Sequence, residues 1–144
     1  MDGGVNIRPA TPDDAAALAA IYGHHVLHGF GTFEEVPPSP REMEQRRLAV
    51  VGRGLPYLVA EIDGAVAGFA YAGPFRTRAA YRYTVEDSVY IAADRQGQGV
   101  GKALLTAVIA ACEDQGAERV AGGKPLRTFP QQALAWRKRR RRAP

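Results

Sequence analysis

Apolar residues recur along the chain in two rhythms, and the changes between them mark out the elements. Val5-Asn6-Ile7-Arg8 alternates as a half-buried strand does. Thr11-Pro12-Asp13-Asp14 then opens a helix, with Thr11 as the cap, Pro12 at the first position and acids over the positive end. Leu18, Ile21 and Tyr22, at three- and four-residue spacing, give that helix one apolar face and carry it from about Pro12 to His24. A loop from His28 to Pro38 follows. Ser39-Pro40-Arg41-Glu42 reads as a capping box, Glu42 standing where it can reach back to the Ser39 amide. The second helix runs to about Val51, where Gly52 and Gly54 stop it.

The rhythm then shortens to two. Tyr57 to Ile62, the turn Asp63-Gly64 and Ala65 to Ala72 predict a hairpin, because a two-residue loop needs the positive φ angles that Asp-Gly supplies. Tyr81 to Ile91, rich in Tyr, Val and Thr, predicts a third long strand. After the glycine-rich stretch Arg95 to Gly101 the helical rhythm returns over Lys102 to Gln115, with Ala103, Leu104, Ala107, Val108 and Ala111 as its apolar stripe and Gly116 past its end. Glu118 to Ala121 starts a further strand that does not continue. From Gly122 on the apolar periodicity dissolves into Gly122-Gly123-Lys124-Pro125, Phe129-Pro130 and a basic run.

A chain of 144 residues, 46% hydrophobic and 24% charged, suits one globular domain with one core. No stretch reaches the ~18 apolar residues of a membrane-spanning helix, and Met1-Asp2-Gly3-Gly4 has no signal-peptide character, which predicts a cytoplasmic protein without a membrane partner. Cys112 is the only cysteine. It excludes an internal disulfide and a thiolate metal cluster, and its place late in a helical pattern predicts a buried structural thiol. The net charge of +4 misleads, because Arg137 to Arg142 are all basic and the remainder without them carries −2. The body of the protein is thus mildly acidic and no nucleic-acid surface is expected on the fold; only the terminal run offers phosphate contacts. His24, His25 and His28 lack a carboxylate partner of the His-Glu-x-x-His kind, so no metal site is expected, and they are read as finishing the first helix near its negative end.

The chemistry centres on Gln96-Gly97-Gln98-Gly99-Val100-Gly101, between a strand and a helix. Glycines let backbone N–H groups approach a pyrophosphate, and the following helix aims its positive end at the same anion. The plain alternative is an ordinary glycine-rich turn. A nucleotide-binding P-loop would need Gly-Lys-Ser/Thr, whereas Gly101-Lys102 is followed by Ala103. A dinucleotide fingerprint would open the first βαβ unit, yet this loop comes after a meander of antiparallel strands. The pyrophosphate of coenzyme A remains as the ligand.

The order of elements, and six strings in that order, resemble the GNAT N-acetyltransferases, in particular their phosphinothricin and methionine sulfone acetyltransferase branch. The strings are Ile7-Arg8-Pro9-Ala10-Thr11, Ile21-Tyr22-Gly23-His24-His25-Val26, Gly31-Thr32-Phe33-Glu34-Glu35, Ala70-Tyr71-Ala72-Gly73-Pro74-Phe75-Arg76, Tyr81-Arg82-Tyr83-Thr84-Val85-Glu86-Asp87-Ser88-Val89-Tyr90, and the glycine loop. The resemblance covers roughly residues 5 to 120. It implies an α/β (α+β) fold with a mixed, mostly antiparallel central sheet flanked by helices, acetyl-CoA as co-substrate, a small amino-acid-like amine as acceptor, and subunits able to pair as a homodimer. It implies that Val89, Tyr90 and Ile91 offer a strand edge to pantetheine and that Gln96, Gly97, Gln98, Gly99, Val100 and Gly101 hold the pyrophosphate. Glu86 matches the acid that deprotonates the acceptor's ammonium, a base the reaction needs because an alkylammonium of pKa ~10 has no lone pair at pH 7. A surface carboxylate is the plain alternative. Arg76 and Arg78 flank the loop before that strand and are read as a grip on an anionic group, since guanidinium forks match oxyanions, against the alternative of solvated loop arginines, and Phe33, Tyr81 and Tyr83 are read as walls of the acceptor pocket, against that of plain core.

Beyond Val120 the chain departs from the family, which continues with a fifth strand, a helix carrying an Asn and an aromatic or His, and a closing hairpin. The expectation is therefore an acetyltransferase domain over 1–121 that lacks its C-terminal strands, and a basic disordered tail over 122–144, as if translation had left the original frame near Arg119 to Gly123. An inactive CoA-binding or dimerising remnant of the family is the alternative to an active enzyme.

Overall fold

Strand β1 (Asn6–Pro9) pairs with β2 (Tyr57–Ile62), β2 with β3 (Ala65–Pro74) and β3 with β4 (Thr84–Ile91), all antiparallel. Strand β5 (Arg119–Gly122) runs parallel to β4, and β6 (Trp136–Arg137) returns antiparallel along β5. A computed structural model describes residues 4–28, 35–74, 84–114, 119–122 and 136–137 of the chain. Its helices are α1 (Ala15–His28), α2 (Pro40–Gly52) and α3 (Val100–Asp114). The mixed, mostly antiparallel sheet between helices is the expected architecture, and the β2–β3 turn has the expected chemistry, with φ +53° at Asp63 and +80° at Gly64. The start of a strand read at 118–121 forms over Arg119–Gly122. The longer C-terminal elements implied by the resemblance are not among the described residues.

The sheet separates two cores. On one face Val100, Leu104, Val108 and Cys112, four residues apart and at most 1% exposed, pack on Ala60, Ile62, Ala70, Ala72 and Val89. Burial of each such side chain contributes roughly 1.5–3 kcal/mol for the larger ones, which holds the start of α3 against the end of β4. Approach is closest at Gly68 of β3: a Cβ there would lie 2.9 Å from the Tyr90 carbonyl oxygen and 3.2 Å from Val100 Cγ1. On the other face Leu18, Ile21, Tyr22 and Met43 of α1 and α2 pack on Tyr57, Val59, Phe69 and Tyr90. Cys112 is the buried thiol expected; burial, and then the Asp87 charge, pushes it up to about 12.

Helix α1 begins in a way that the sequence reading did not anticipate. Pro12–Asp14 form a 3-10 turn, and instead of the Thr11 side chain the Asp14 carboxylate does the capping, accepting the Thr11 amide N–H at 2.7 Å. Both Asp14 oxygens also accept from Arg8 at 2.9 Å, and Arg8 reaches Glu61 of β2 at 2.9 Å, so one guanidinium ties β1, β2 and the start of α1 together. In α2, Ser39 Oγ accepts the Glu42 amide as expected, at 3.1 Å, but the Glu42 carboxylate pairs with Arg46 one turn on, at 3.1 Å. Buried Arg47 pairs with Glu44 at 2.7 Å and donates to the Ala10 carbonyl at 3.3 Å, docking α2 on the end of β1.

Candidate functional site

Strand β4 is the residue source, and its hydrogen-bonding phase decides what it can offer. The Ala92 amide donates to the Ala67 carbonyl at 2.8 Å, and the β3–β4 register is continuous from Gly68↔Ile91 to Pro74↔Val85. Alternation along an antiparallel ladder therefore turns the backbone groups of Tyr90 and Ser88 toward β3 and those of Val89 and Ile91 to the opposite side. On that side, among the described residues, β5 pairs only with Thr84 to Asp87. Among the described residues, the Val89 N–H and C=O and the Ile91 N–H thus form an edge that no strand pairs, while the Ile91 carbonyl meets the His25 ring. Tyr90, expected on that edge, bonds to β3 with its backbone and contributes its ring to the α1/α2 face.

The open edge leads into the glycine loop. A 3-10 turn, Ala93–Arg95, ends β4, and Gln96, Gly97, Gln98 and Gly99 follow, all exposed. Gly97 and Gly99 have φ of +80° and +83°, angles that residues with a Cβ rarely adopt, and no atom lies within 4 Å of where a Cβ would be. The loop needs glycine for its backbone path, while the space over it stays open to a ligand. The first bond of α3 runs from the Ala103 amide to the Gly99 carbonyl at 3.1 Å, so the amides of Val100, Gly101 and Lys102 have no acceptor within the helix. Those amides and the helix dipole face the place where an anion would complete the cradle.

Glu86 is half-buried, opposite Gly73 of β3 and Ala121 of β5. The period of two puts it on the face of Ser88 and Tyr90, the α1/α2 side, while Asp87 faces α3 and is buried at 3% exposure. The face that Glu86 shares is aromatic: Tyr57 stacks on Tyr71 at 5.0 Å and Phe69 on Tyr90 at 5.1 Å, across three strands. A cavity of about 250 Å³ lies beside this row, lined among others by Tyr22, Met43, Arg46, Tyr57 and Tyr71. Tyr71 is the register partner of Ser88, two residues from Glu86. Arg46 spans Tyr22 with its guanidinium carbon 5.7 Å from the ring centre.

Phe33, Arg76, Arg78 and Tyr81, the expected acceptor contacts, lie outside the described residues, as does Tyr83. The histidines do not simply finish α1. The helix continues to His28, His24 and His28 are exposed with ring centres 4.8 Å apart, and His25 turns inward with Nε2 2.9 Å from the Ile91 carbonyl oxygen. His25, Tyr71 and Arg46 are site neighbours that the sequence reading missed. For His25 the signal was present, since Leu18, Tyr22 and His25 share one helix face. Among the described residues no group of three or more His, Cys, Asp or Glu is placed to hold a metal ion, and no helix is long and apolar enough to cross a membrane.

Known proteins with this arrangement are numerous. The model of the acetyltransferase (GNAT) family matches residues 19–129. The phosphinothricin N-acetyltransferase of Alcaligenes faecalis is 56% identical over 107 residues, 74% of this chain and 54% of that protein. The L-methionine sulfoximine/L-methionine sulfone acetyltransferase of Salmonella typhimurium is 39% identical over 109 residues, 73% of this chain and 61% of that one. The crystal structure of a GNAT superfamily phosphinothricin acetyltransferase from Sinorhizobium meliloti, in complex with AcCoA, superposes with a TM-score of 0.79 at 42% identity, covering 82% of this chain and 64% of that chain. The chain thus spans between about half and two thirds of the length of these relatives.

Proposed function

The chain belongs to the GNAT acetyltransferase family, and from that membership we propose that it transfers the acetyl group of acetyl-CoA to the primary amine of a small amino-acid-like acceptor of the phosphinothricin or methionine sulfone type. The observation that carries the proposal is the continuity of three features: the open β4 edge at Val89 and Ile91, the positive-φ glycine loop, and the N-terminus of α3. An extended, amide-bearing arm ending in a pyrophosphate matches that sequence of donors and acceptors. Pantetheine amides pair with Val89 and Ile91 as a further strand would, and the pyrophosphate takes the amides from Gln96 to Gly101.

Glu86 then acts as the base. It removes a proton from the acceptor's ammonium, directly or through water; the freed nitrogen attacks the thioester carbonyl, the C–S bond breaks as the C–N bond forms, and coenzyme A leaves as thiolate. With an amine of pKa ~10, only about one molecule in a thousand is nucleophilic at pH 7, which sets what the base must supply. The nitrogen gives up its second proton as it becomes the amide, the departing thiolate, of ordinary pKa ~8.5, takes one up through solvent, and the proton held by Glu86 is released, so each turnover frees one proton. Arg76 and Arg78 grip the acceptor's anionic group and Phe33 and Tyr81 wall its pocket; the places of Phe33, Arg76 and Tyr81 in the family strings, and the match of a guanidinium fork to an oxyanion for both arginines, support these roles. Location in the cytoplasm, where acetyl-CoA is supplied, completes the reading.

One observation favours a second reading. Among the described residues β5 covers only Arg119–Gly122 and pairs with β4 no further than Asp87, so a CoA-binding family member without turnover is the alternative. Calorimetric titration of the monodisperse protein with acetyl-CoA, then thiol release on adding phosphinothricin or methionine sulfone, decides. Binding with turnover supports the enzyme, binding without turnover on any of these amines supports the second reading, and no binding by folded protein overturns both.

A further inference from the structure

A buried polar contact that the mechanism above does not use lies beside the β4 edge. His25, 6% exposed in the last turns of α1, has Nε2 2.9 Å from the carbonyl oxygen of Ile91. A carbonyl has only lone pairs to offer, so Nε2 carries the hydrogen and donates in either charge state of the ring. That carbonyl is one of the groups the β3–β4 ladder turns to the open side, and a neighbouring strand would ordinarily satisfy it. Among the described residues β5 is paired with β4 no further than Asp87. Helix α1 thus supplies from above the sheet a donor of the kind that a further strand would bring. The ring is held in place by packing: its edge meets Tyr90 at 5.9 Å and 61°, and Tyr90 in turn meets Tyr22 at 5.0 Å and 71°.

The consequence concerns register. An arm with amide groups can pair with a strand edge in more than one way, and positions of equivalent phase lie two residues, about 6.6 Å, apart. With one lone pair of the Ile91 carbonyl taken by the His25 ring, the groups on this stretch of edge that no described residue engages are the Val89 N–H and C=O and the Ile91 N–H. A placement shifted toward the end of β4 would have to share the Ile91 carbonyl with the His25 ring and would carry the thioester away from Glu86. We infer that His25 is a positioning residue: by occupying the Ile91 carbonyl it marks where the pairing edge of β4 ends and so selects the one register in which acetyl-CoA presents its thioester to the acceptor. The inference rests on the acetyl-CoA reading of that edge.

The test uses two substitutions of similar volume in the full chain, His25→Gln, which keeps an N–H donor, and His25→Leu, which does not. Wild type is first titrated with acetyl-CoA; no binding by folded wild type removes the acetyl-CoA reading itself, and this inference with it. With wild type binding, the leucine variant is expected to lose about tenfold in kcat/KM for acetyl-CoA while the acceptor KM stays within about twofold, and the glutamine variant to recover to within about threefold of wild type. A merely structural role would move the two KM values together and follow melting temperature rather than donor chemistry. Equal loss in both variants, or no loss in the leucine variant, overturns the inference and leaves the acetyl-CoA reading standing. Should the leucine variant fail to fold, the Nε2–H resonance of the wild-type ring decides: it is expected to exchange slowly with solvent and to persist when acetyl-CoA binds, and its rapid exchange overturns the assignment of the donor.

Discussion

Asp87 and Gly122 form the last rung of the parallel ladder between β4 and β5, and the backbone groups of Val89 and Ile91 lie beyond it on the same side. Four consecutive amides thus divide between the two sides of β4. Ser88 and Tyr90 donate toward β3, so their N–H groups should exchange slowly with or without ligand. Val89 and Ile91 should exchange quickly in the free protein and become protected when acetyl-CoA is added. Amide exchange followed by NMR reads all four at once. Equal protection of all four in the free protein would mean that another part of the chain closes the edge.

Replacing Glu86 by glutamine keeps the side chain's size on its half-buried position and removes the base. The expected result is a fall in kcat of about a hundredfold or more at pH 7, with acetyl-CoA affinity within about twofold of wild type. The residual rate should climb with pH toward the amine's own pKa of ~10, as solvent does what the carboxylate did. Steady-state rates from pH 6 to 10 check this; a variant with wild-type kcat would remove Glu86 from the mechanism.

Gly97→Ala and Gly99→Ala force a Cβ onto φ of +80° and +83°, although the space around both is open. The strain is conformational, about 1–2 kcal/mol for each, and the loop can relieve it only by leaving the path that opens its amides. Both variants should melt lower and bind acetyl-CoA at least about fivefold more weakly. Gly52→Ala, at the end of α2 with nothing within 4 Å of its Cβ and no positive φ, is the matched control and should be neutral or slightly stabilising. Denaturation midpoints and titration calorimetry separate strain from cofactor loss.

What could be read from the sequence followed the strength of the local signals. The β2–β3 hairpin, the capped start of α2 and the glycine loop each rest on residues whose chemistry acts within a few positions, Asp63-Gly64, Ser39 and Gly97 with Gly99, and all appear where expected. Helix α1 ends four residues beyond the expected His24, because His25, read as finishing the helix, turns inward to a carbonyl sixty-six residues away. A contact of that sequence separation leaves no trace in local periodicity. The same holds for Arg8, whose partners lie on β2 and at the start of α1, and for the phase of β4, which depends on its neighbour strand rather than on its own residues. Of the candidate site, Val89, Ile91, the glycine loop and Glu86 come together on and around β4; Phe33, Arg76, Arg78 and Tyr81 fall outside the described residues.

Gly68→Ala tests how closely α3 must approach the sheet. The new methyl would sit 2.9 Å from the backbone oxygen of Tyr90, 3.2 Å from Val100 and 3.3 Å from Leu104, and the backbone atom cannot swing aside. The first turn of α3 would have to lift, at a cost of about 1–3 kcal/mol. Because that turn carries the amides at Val100 and Gly101, cofactor affinity should fall along with stability. An alanine variant that melts like wild type would show that α3 can shift freely, against the packing seen at Val100 and Leu104.

Asp14→Asn addresses acid stability. Hydrogen bonds from Arg8 hold the Asp14 carboxyl below the ordinary carboxylate range, against the opposing effect of burial, and the Thr11 amide adds to the lowering. A group whose pKa is lower folded than unfolded binds fewer protons in the native state, so its contribution is complete above the unfolded value of ~3.9 and is lost as pH falls through the folded one. Wild-type stability should therefore decline below about pH 4. The asparagine variant, which removes the charge from a contact made to both oxygens, should be less stable by about 2 kcal/mol at pH 7. Glu61 and Glu44, also lowered by their arginine partners, act with the same sign, so the acid slope of the variant should shrink rather than vanish. Denaturant unfolding from pH 7 to pH 2 checks this, and the two stability curves should converge at the acid end; a gap that stays constant with pH would assign the loss to packing at the start of α1 rather than to the carboxylate charge.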